Sequence, residues 1–423
     1  MAPRAERTQL RTPARYLLRS LLATALFVVP AVVVRLGELD VPPVLALLIY
    51  GAAVVAASFL LAWAAEAAQI DVSGGLAIAV LALIAVLPEY AVDLYYAYKS
   101  GSTPEYTQYA AANMTGSNRL LMGLGWPVVV LVSLWVARRT TGRKCDVLAL
   151  NQGNRVELGF LLIAGVVAFV VPVAGAIHLT FGISLLAWFG FYLYKVSRGA
   201  VEEPELVGTA AALAGLTPGA RRAGVIAMFV VSAAVILASA QPFADSLIDA
   251  GTQLGVDRFL LVQWLAPLAS EAPEFVIAII FASRGKGAAA IATLISSKVN
   301  QWTLLVGSLP IAHLLGGAEA GLALDGRQVE EMMLTATQTM MGVALVLGLR
   351  FHRYTAWALL GLFLVQFPLG STTARLVLCA VYTAVALVGF VVNRGHLRAT
   401  LRAPFAGAAE SSTPGVPDNA AAR

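Results

Sequence analysis

Charge is scarce in this sequence. Only 13% of its 423 residues are Asp, Glu, Lys or Arg, about half the usual globular fraction. A water-soluble domain of this length could not cover its surface with so little charge. A disordered chain is excluded as well, because 59% of the residues are apolar and disordered chains are poor in such residues. Cysteine is nearly absent: Cys145 and Cys379 stand far apart and make neither a metal spacing nor a disulfide framework. There is no phosphate-binding Gly-Lys loop to suggest ATP as the direct energy source. No small-residue cleavage site follows the first apolar run, so that run reads as a span rather than a removable signal.

What the chain does have is many long apolar runs along its whole length and a mean hydropathy of +0.79. This is the composition of a multi-pass membrane protein. About 20 apolar residues cross a bilayer as a helix. By that measure twelve helices are predicted, over 15–36, 42–68, 75–99, 105–137, 155–174, 176–196, 221–241, 257–284, 286–315, 327–349, 352–370 and 372–393. The fourth and ninth are overlong and carry Gly123, Gly125 and Pro127, and Gly307 and Pro310, so kinks are expected there. Formal net charge is +5, which in a membrane protein marks cytoplasmic loops rather than a nucleic-acid partner. With twelve spans, 22 of the 29 basic residues fall on one face, including Arg138, Arg139, Arg221, Arg222, Arg350 and Arg353. That bias puts both termini in the cytoplasm. Arg119 and Lys298 are left inside spans.

The expected organisation follows. Residues 1–41 are a basic N-terminus with an extra first helix, 197–220 a cytoplasmic linker, 371–393 an extra last helix and 394–423 a disordered cytoplasmic tail. Between them lie two halves, 42–196 and 221–370. His178 and His313 fall near span ends and read as interfacial. The tryptophans read as interface belt or packing.

Four acids fall well inside spans: Glu89, Asp93, Glu271 and Glu274. An ionised group at mid-membrane costs roughly 2.5–3.5 kcal/mol, so these four with Arg119 and Lys298 would cost about 15–20 kcal/mol if charged and unpaired. Four acids against two bases leave negative charge for a bound cation or for protons. Helical spacing groups the polar residues. Glu89 and Asp93 share a face, as do Ser270 and Glu274, Asn113 and Ser117, and Ser297 and Gln301. The purely structural alternative is a set of packing salt bridges.

The motifs also repeat. Leu87-Pro88-Glu89-Tyr90 matches Ala272-Pro273-Glu274-Phe275. Asn113-Met114-Thr115-Gly116-Ser117-Asn118 in the next helix aligns with Thr293-Leu294-Ile295-Ser296-Ser297-Lys298. A Pro before a mid-span Glu should free backbone carbonyls as ligands. By the span count the third helix runs outward and the eighth inward, so the repeats are inverted, a transporter architecture.

These segments resemble the alpha repeats of the calcium/cation antiporter superfamily, which includes the sodium/calcium exchangers. The family pattern is Gly-Thr-Ser-x-Pro-Glu followed by Gly-Asn-x-x-Gly-Ser-Asn. The repeats here span 75–137 and 257–315. The resemblance implies an all-α integral membrane fold of two inverted five-helix halves, with one extra helix at each end of this chain. It implies secondary cation antiport, not an enzyme, with no cofactor beyond the transported Na⁺, Ca²⁺ or H⁺. It gives Glu89 and Glu274 the role of central cation (metal) ligands, and Ser117 and Ser297 ligand or gating roles. Gln301 occupies the family's polar position four residues after the second serine. Ser270, Glu271, Asn113 and Asp93 complete the expected cation-binding set. Departures are Ala85 and Val86 where Thr-Ser is usual, Glu271 for Ser, Lys298 for Asn, and the extra base Arg119. Lys298 and Arg119 are therefore expected to compensate site charge, and the exchanged ions stay open. Two other readings remain: a non-transporting sensor on such a core, and an intramembrane hydrolase. The hydrolase would need a His or Ser beside the acids, and no His lies near either motif.

Overall fold

A computed structural model describes residues 13–72, 84, 86–198, 206–319 and 321–406. Helix dominates, because inside a bilayer only helices satisfy every backbone donor within one segment. The first two helices are α1 (Pro13–Leu36) and α2 (Pro43–Ala68). The third, α3 (Leu87–Ser100), opens late; most of 75–86, including Gly75 and Ala85, lies outside the described residues. α4 (Tyr106–Leu120) continues through a π turn at Leu121–Gly125 into α5 (Trp126–Thr141). Then come α6 (Asn154–Val167), α7 (Val170–Ala174), α8 (Leu179–Ser197) and the short α9 (Gly208–Ala214).

The second half runs through α10 (Pro218–Leu254), α11 (Arg258–Ser283) and α12 (Gly287–Asn300). A π turn at Gln301–Leu305 leads into α13 (Val306–Leu315). α14 (Gly326–Val346), α15 (Arg353–Val365), α16 (Thr372–Val392) and α17 (Arg394–Arg402) complete it. Among the described residues, eight helices are long and apolar enough to cross a membrane. The kinks expected in the two overlong helices take the form of π turns, each beginning four residues after a motif serine.

Local signals set the helix ends. The Asp257 carboxylate accepts from Phe259 N at 2.8 Å and caps α11. Asp325 and Gln328 form a reciprocal capping box on α14, which satisfies two otherwise orphaned donors. Gly255, at φ 66°, ends α10 in the left-handed conformation that favours glycine.

Two short ladders tie loops together. β1 (Val147–Ala149) pairs antiparallel with β4 (Arg350–His352), and β2 (Ala176–Ile177) with β3 (Leu322–Ala323). Polar contacts between loops follow the same grouping. Arg221 and Arg222 hold Asp71, Arg353 holds Asp146, Arg258 holds Glu105 and Arg327 holds Asp257.

Four expectations are corrected. The span predicted at 221–241 is a 37-residue helix reaching Leu254. Pro242 does not end it, because Phe243, Ala244, Leu247, Ile248 and Ala250 remain buried beyond it. The 197–220 linker contains α9, whose Ala210, Ala212 and Leu213 are buried where it packs on α1 and α2. The segment 394–406 of the tail is ordered, not disordered. α17 and the turn Ala403–Phe405 pack on α6, with Gly159 so close that a Cβ there would collide with Thr400 O and Pro404. Residues 407–423 lie outside the described residues. Finally, His313 is buried rather than interfacial, and its Nδ1 lies 2.7 Å from Ser100 Oγ. Trp126 and Trp302 are fully buried packing residues.

Candidate cation site

Pro88 falls in the first turn of α3, where a missing N–H costs nothing. The next residue, Glu89, therefore sits at a helix N-terminus, where unpaired amides and the helix dipole favour an anion. Pro273 differs: it lies inside the continuous α11, so the carbonyl of Ala269 loses its helical donor. One turn on either side of that prolyl break, α11 carries Glu271 and Glu274.

Glu89 and Glu271 converge on one hydroxyl. Ser117 Oγ makes very short contacts to Oε1 of each. The Gln301 amide nitrogen reaches all three partners, at 2.8 Å to Glu271 Oε1, 3.0 Å to Ser117 Oγ and 3.2 Å to Glu89 Oε1. Four side chains from α3, α4, α11 and the second π turn thus meet at one point, all of them buried. Glu274 stands beside them, its Oε2 accepting from Ser297 Oγ at 2.7 Å.

This arrangement constrains the proton count. A serine hydroxyl carries one proton and can donate it once. Two carboxyl oxygens on the same hydroxyl therefore need a second proton, or a cation, between them. Glu271 Oε2 and Gln301 Oε1 are buried acceptors without a donor among the described residues. Oxygen acceptors left open around shared negative charge are the ligand type that hard cations take.

The other expected site residues divide. Ser270 turns away, donating to Ala266 O and Pro267 O in its own helix at 3.2 and 3.3 Å. Asp93 and Asn113 are wholly buried and stand outside the central group. Lys298 Nζ donates to the main-chain and side-chain oxygens of Asn118, within Coulombic range of Glu271 and Glu89.

Arg119 is engaged elsewhere. Its guanidinium pairs with Glu331, which also takes Arg375 at 2.7 Å and the Gln263 amide at 3.1 Å. Gln366 accepts from Arg119 at 2.9 Å, and Trp264 lies under the guanidinium at 5.0 Å. The expected role for Arg119 as counter-charge to the motif acids gives way to this separate network, because a nearer carboxylate is present. Sequence reasoning missed Glu331, since it lies near the start of a span and reads as interfacial. An unpaired Arg119 was the signal that could have found it. Asp245 was missed too, because α10 was expected to end at 241. It accepts from Tyr95 Oη at 2.7 Å and from Tyr106 Oη at 3.1 Å.

The site leans on a tight helix crossing. A Cβ on Gly116 would collide with the carbonyl oxygen of Gln263, so α4 and α11 touch backbone to backbone one residue from Ser117. Small residues permit this approach between membrane helices.

Apolar helices of spanning length around buried acids and a buried lysine define a multi-pass membrane protein of the cation-antiporter class. The sequence model of the family described as "Sodium/calcium exchanger protein" matches residues 42–197 and 224–367, and the chain belongs to that family. It is similar to a solved H⁺/Ca²⁺ exchanger, CAX, at 37% identity and a TM-score of 0.87, over 93% of this chain and 98% of that one. The fold is shared with the YfkE structure (15% identity, TM-score 0.62, 86% and 99% covered). It is shared also with the sodium-calcium exchanger NCX_Mj (16%, 0.50, 81% and 100%). No curated protein matches the sequence.

Proposed function

We propose that the protein exchanges Ca²⁺ for H⁺ across the cell membrane by alternating access to an acidic midplane site. The observation that carries this reading is the meeting of Glu89 and Glu271 on the single hydroxyl of Ser117. Such a site holds a proton or a cation, and the two compete for the same oxygens. Competition of that kind is what couples two fluxes. The 37% identity to a protein titled H⁺/Ca²⁺ exchanger supports calcium and protons over sodium. Glu89, Glu271 and Glu274 would bind the cation, Ser117, Ser297 and Gln301 would complete its oxygen shell, and Lys298 would tune the charge from behind Asn118.

The proposed topology is twelve crossings, with inverted halves at 42–196 and 221–370 and both termini cytoplasmic. Loop pairings support it. Each ladder and each inter-loop ion pair joins segments that the distribution of basic residues assigns to the same face. Single-cysteine labelling after removal of Cys145 and Cys379 tests it. A cysteine within 140–150 is expected to be protected in intact cells and one within 317–319 accessible; the reverse pattern overturns the topology.

The test of function is flux in liposomes containing the purified protein, with Ca²⁺, Na⁺, K⁺ and H⁺ gradients imposed singly. Calcium uptake driven by an outward-directed proton gradient, with matching proton release, is expected. Uptake that follows only a sodium gradient would replace protons with sodium. Absence of flux under every gradient, in folded protein that binds calcium, would favour a sensor.

A further inference from the structure

We infer that Asp93 and Asn113 form a second polar station dedicated to the proton, one helical turn from the central acids. The inference rests on proton-coupled exchange and adds a site to it. Asp93 follows Glu89 by four residues on α3, and Asn113 precedes Ser117 by four on α4. The two helices run antiparallel through the 101–105 turn, so both steps lead toward the same end of the hairpin. The pair therefore stands beside the Glu89–Ser117 level, displaced toward that turn.

Both side chains are 0% exposed. Neither Asp93 carboxyl oxygen and neither polar atom of the Asn113 amide has a hydrogen-bond partner among the described residues. Two adjacent orphaned polar groups in a close-packed interior are costly unless something arrives to occupy them. The pair offers three oxygens at most, too few for a calcium ion that takes 6–8. A proton needs only one carboxyl oxygen. Carried on Asp93, it removes the uncompensated charge and creates an O–H donor that the amide oxygen of Asn113 can accept.

The surrounding groups define a direction. On its own helix Asp93 interacts with the Glu89 carboxylate and with the Tyr90 and Tyr96 hydroxyls. From α10, Tyr96 Oη donates to Ala244 O at 3.0 Å, and the adjoining Asp245 gathers Tyr95 and Tyr106. Glu274 on α11 lies on the far side of Glu89, and His313 on α13 meets Ser100 at the far end of α3. Asp93 thus stands between the central acids and the partly buried Asp245. A proton displaced from Glu89 by an incoming cation has a carboxyl to move to without re-entering the cation's path.

The experiment uses the full chain and the Asp93→Asn variant. Infrared difference spectra at neutral pH are expected to show the carbonyl stretch of a neutral, buried carboxylic acid in the parent and to lose it in the variant. Proton-driven calcium flux is expected to fall roughly a hundredfold, at the low end of what a positioned proton-transfer group contributes, with a flattened pH profile. Calcium affinity, measured by calorimetry, is expected to change by less than about threefold, since the cation's own ligands remain. Asn113→Leu is the second variant: it removes the acceptor and is expected to shift the carbonyl band while leaving it present. An unchanged spectrum and pH profile in Asp93→Asn overturn the proton station. Loss of calcium affinity in step with flux overturns it in favour of a cation ligand. A parent protein that transports without proton coupling but keeps the Asp93 band sinks the antiport reading and leaves the neutral acid standing.

Discussion

Glu89→Gln and Glu274→Gln are each expected to abolish exchange in protein that still folds and inserts. Glutamine keeps the shape of the side chain and can still engage Ser117 or Ser297, so packing is preserved. The variant lacks the negative charge that a desolvated cation needs. Each 1.4 kcal/mol of lost binding is tenfold in affinity. A buried, charge-assisted contact is worth about 1.5–3 kcal/mol, so calcium affinity should fall by about ten- to a hundredfold from one contact alone. Transport, which also needs the proton exchanged at the same carboxyl, should fall to background. Calcium flux in liposomes and thermal melting in detergent are the paired measurements. Flux at the parent rate in either variant would remove that glutamate from the site. Loss of the folded protein would mean that the carboxyl holds the helices together instead.

Glu331→Leu is expected to cause the largest loss of stability of any single substitution considered. Glu331 is 1% exposed and holds two guanidiniums, Arg119 from α4 and Arg375 from α16. Breaking a buried ion network by removing one partner leaves the other charges unpaired and costs about 3–5 kcal/mol. The melting temperature should drop sharply. The double variant Arg119→Met with Glu331→Leu should recover part of the loss, because it removes both an acid and a base from the interior. A single variant that melts with the parent would show that water already serves these arginines. The network explains why the extra last helix is not an ornament: through Arg375 it anchors the α4–α11 crossing next to Ser117.

Much of this was legible in the sequence, for identifiable reasons. Buried acids in apolar runs have no neutral explanation, so Glu89, Asp93, Glu271 and Glu274 declared themselves. The repeat of Pro-Glu and the small-polar helix located Ser117, Ser297 and Gln301 by spacing alone. What failed was anything that required knowing which face of a helix meets which neighbour. Ser270 shares a stripe with Glu274, yet its hydroxyl is spent on its own backbone. Arg119 lies two residues from Ser117, and 200° of helical rotation carries it to Glu331 instead of the acids. Helix α10 was cut short because Asp245 and Asp249 lower the local hydropathy, although Phe243, Leu247 and Ile248 continue its buried stripe. The ordered end at 394–406 was hidden for a similar reason. Arg394, Arg398 and Arg402 dominate its composition, while the few contacts that fix it, at Thr400, Pro404 and Phe405, carry no periodic signal.

The contact between Lys298 and Asn118 bears on the history of the chain. These are the same position of the two repeats, each one residue past a motif serine, and they touch each other. In an ancestor made of two identical halves, that position would have faced its own copy. Two ammonium groups there would repel at close range in a medium that screens poorly, whereas two amides would bond in a matched pair. Lysine could therefore enter only one half, and only once the halves had begun to differ. The residue dates the divergence of the two repeats from within: everything that distinguishes the first half from the second, including the extra acid Glu271, could accumulate around a site that had ceased to be its own mirror.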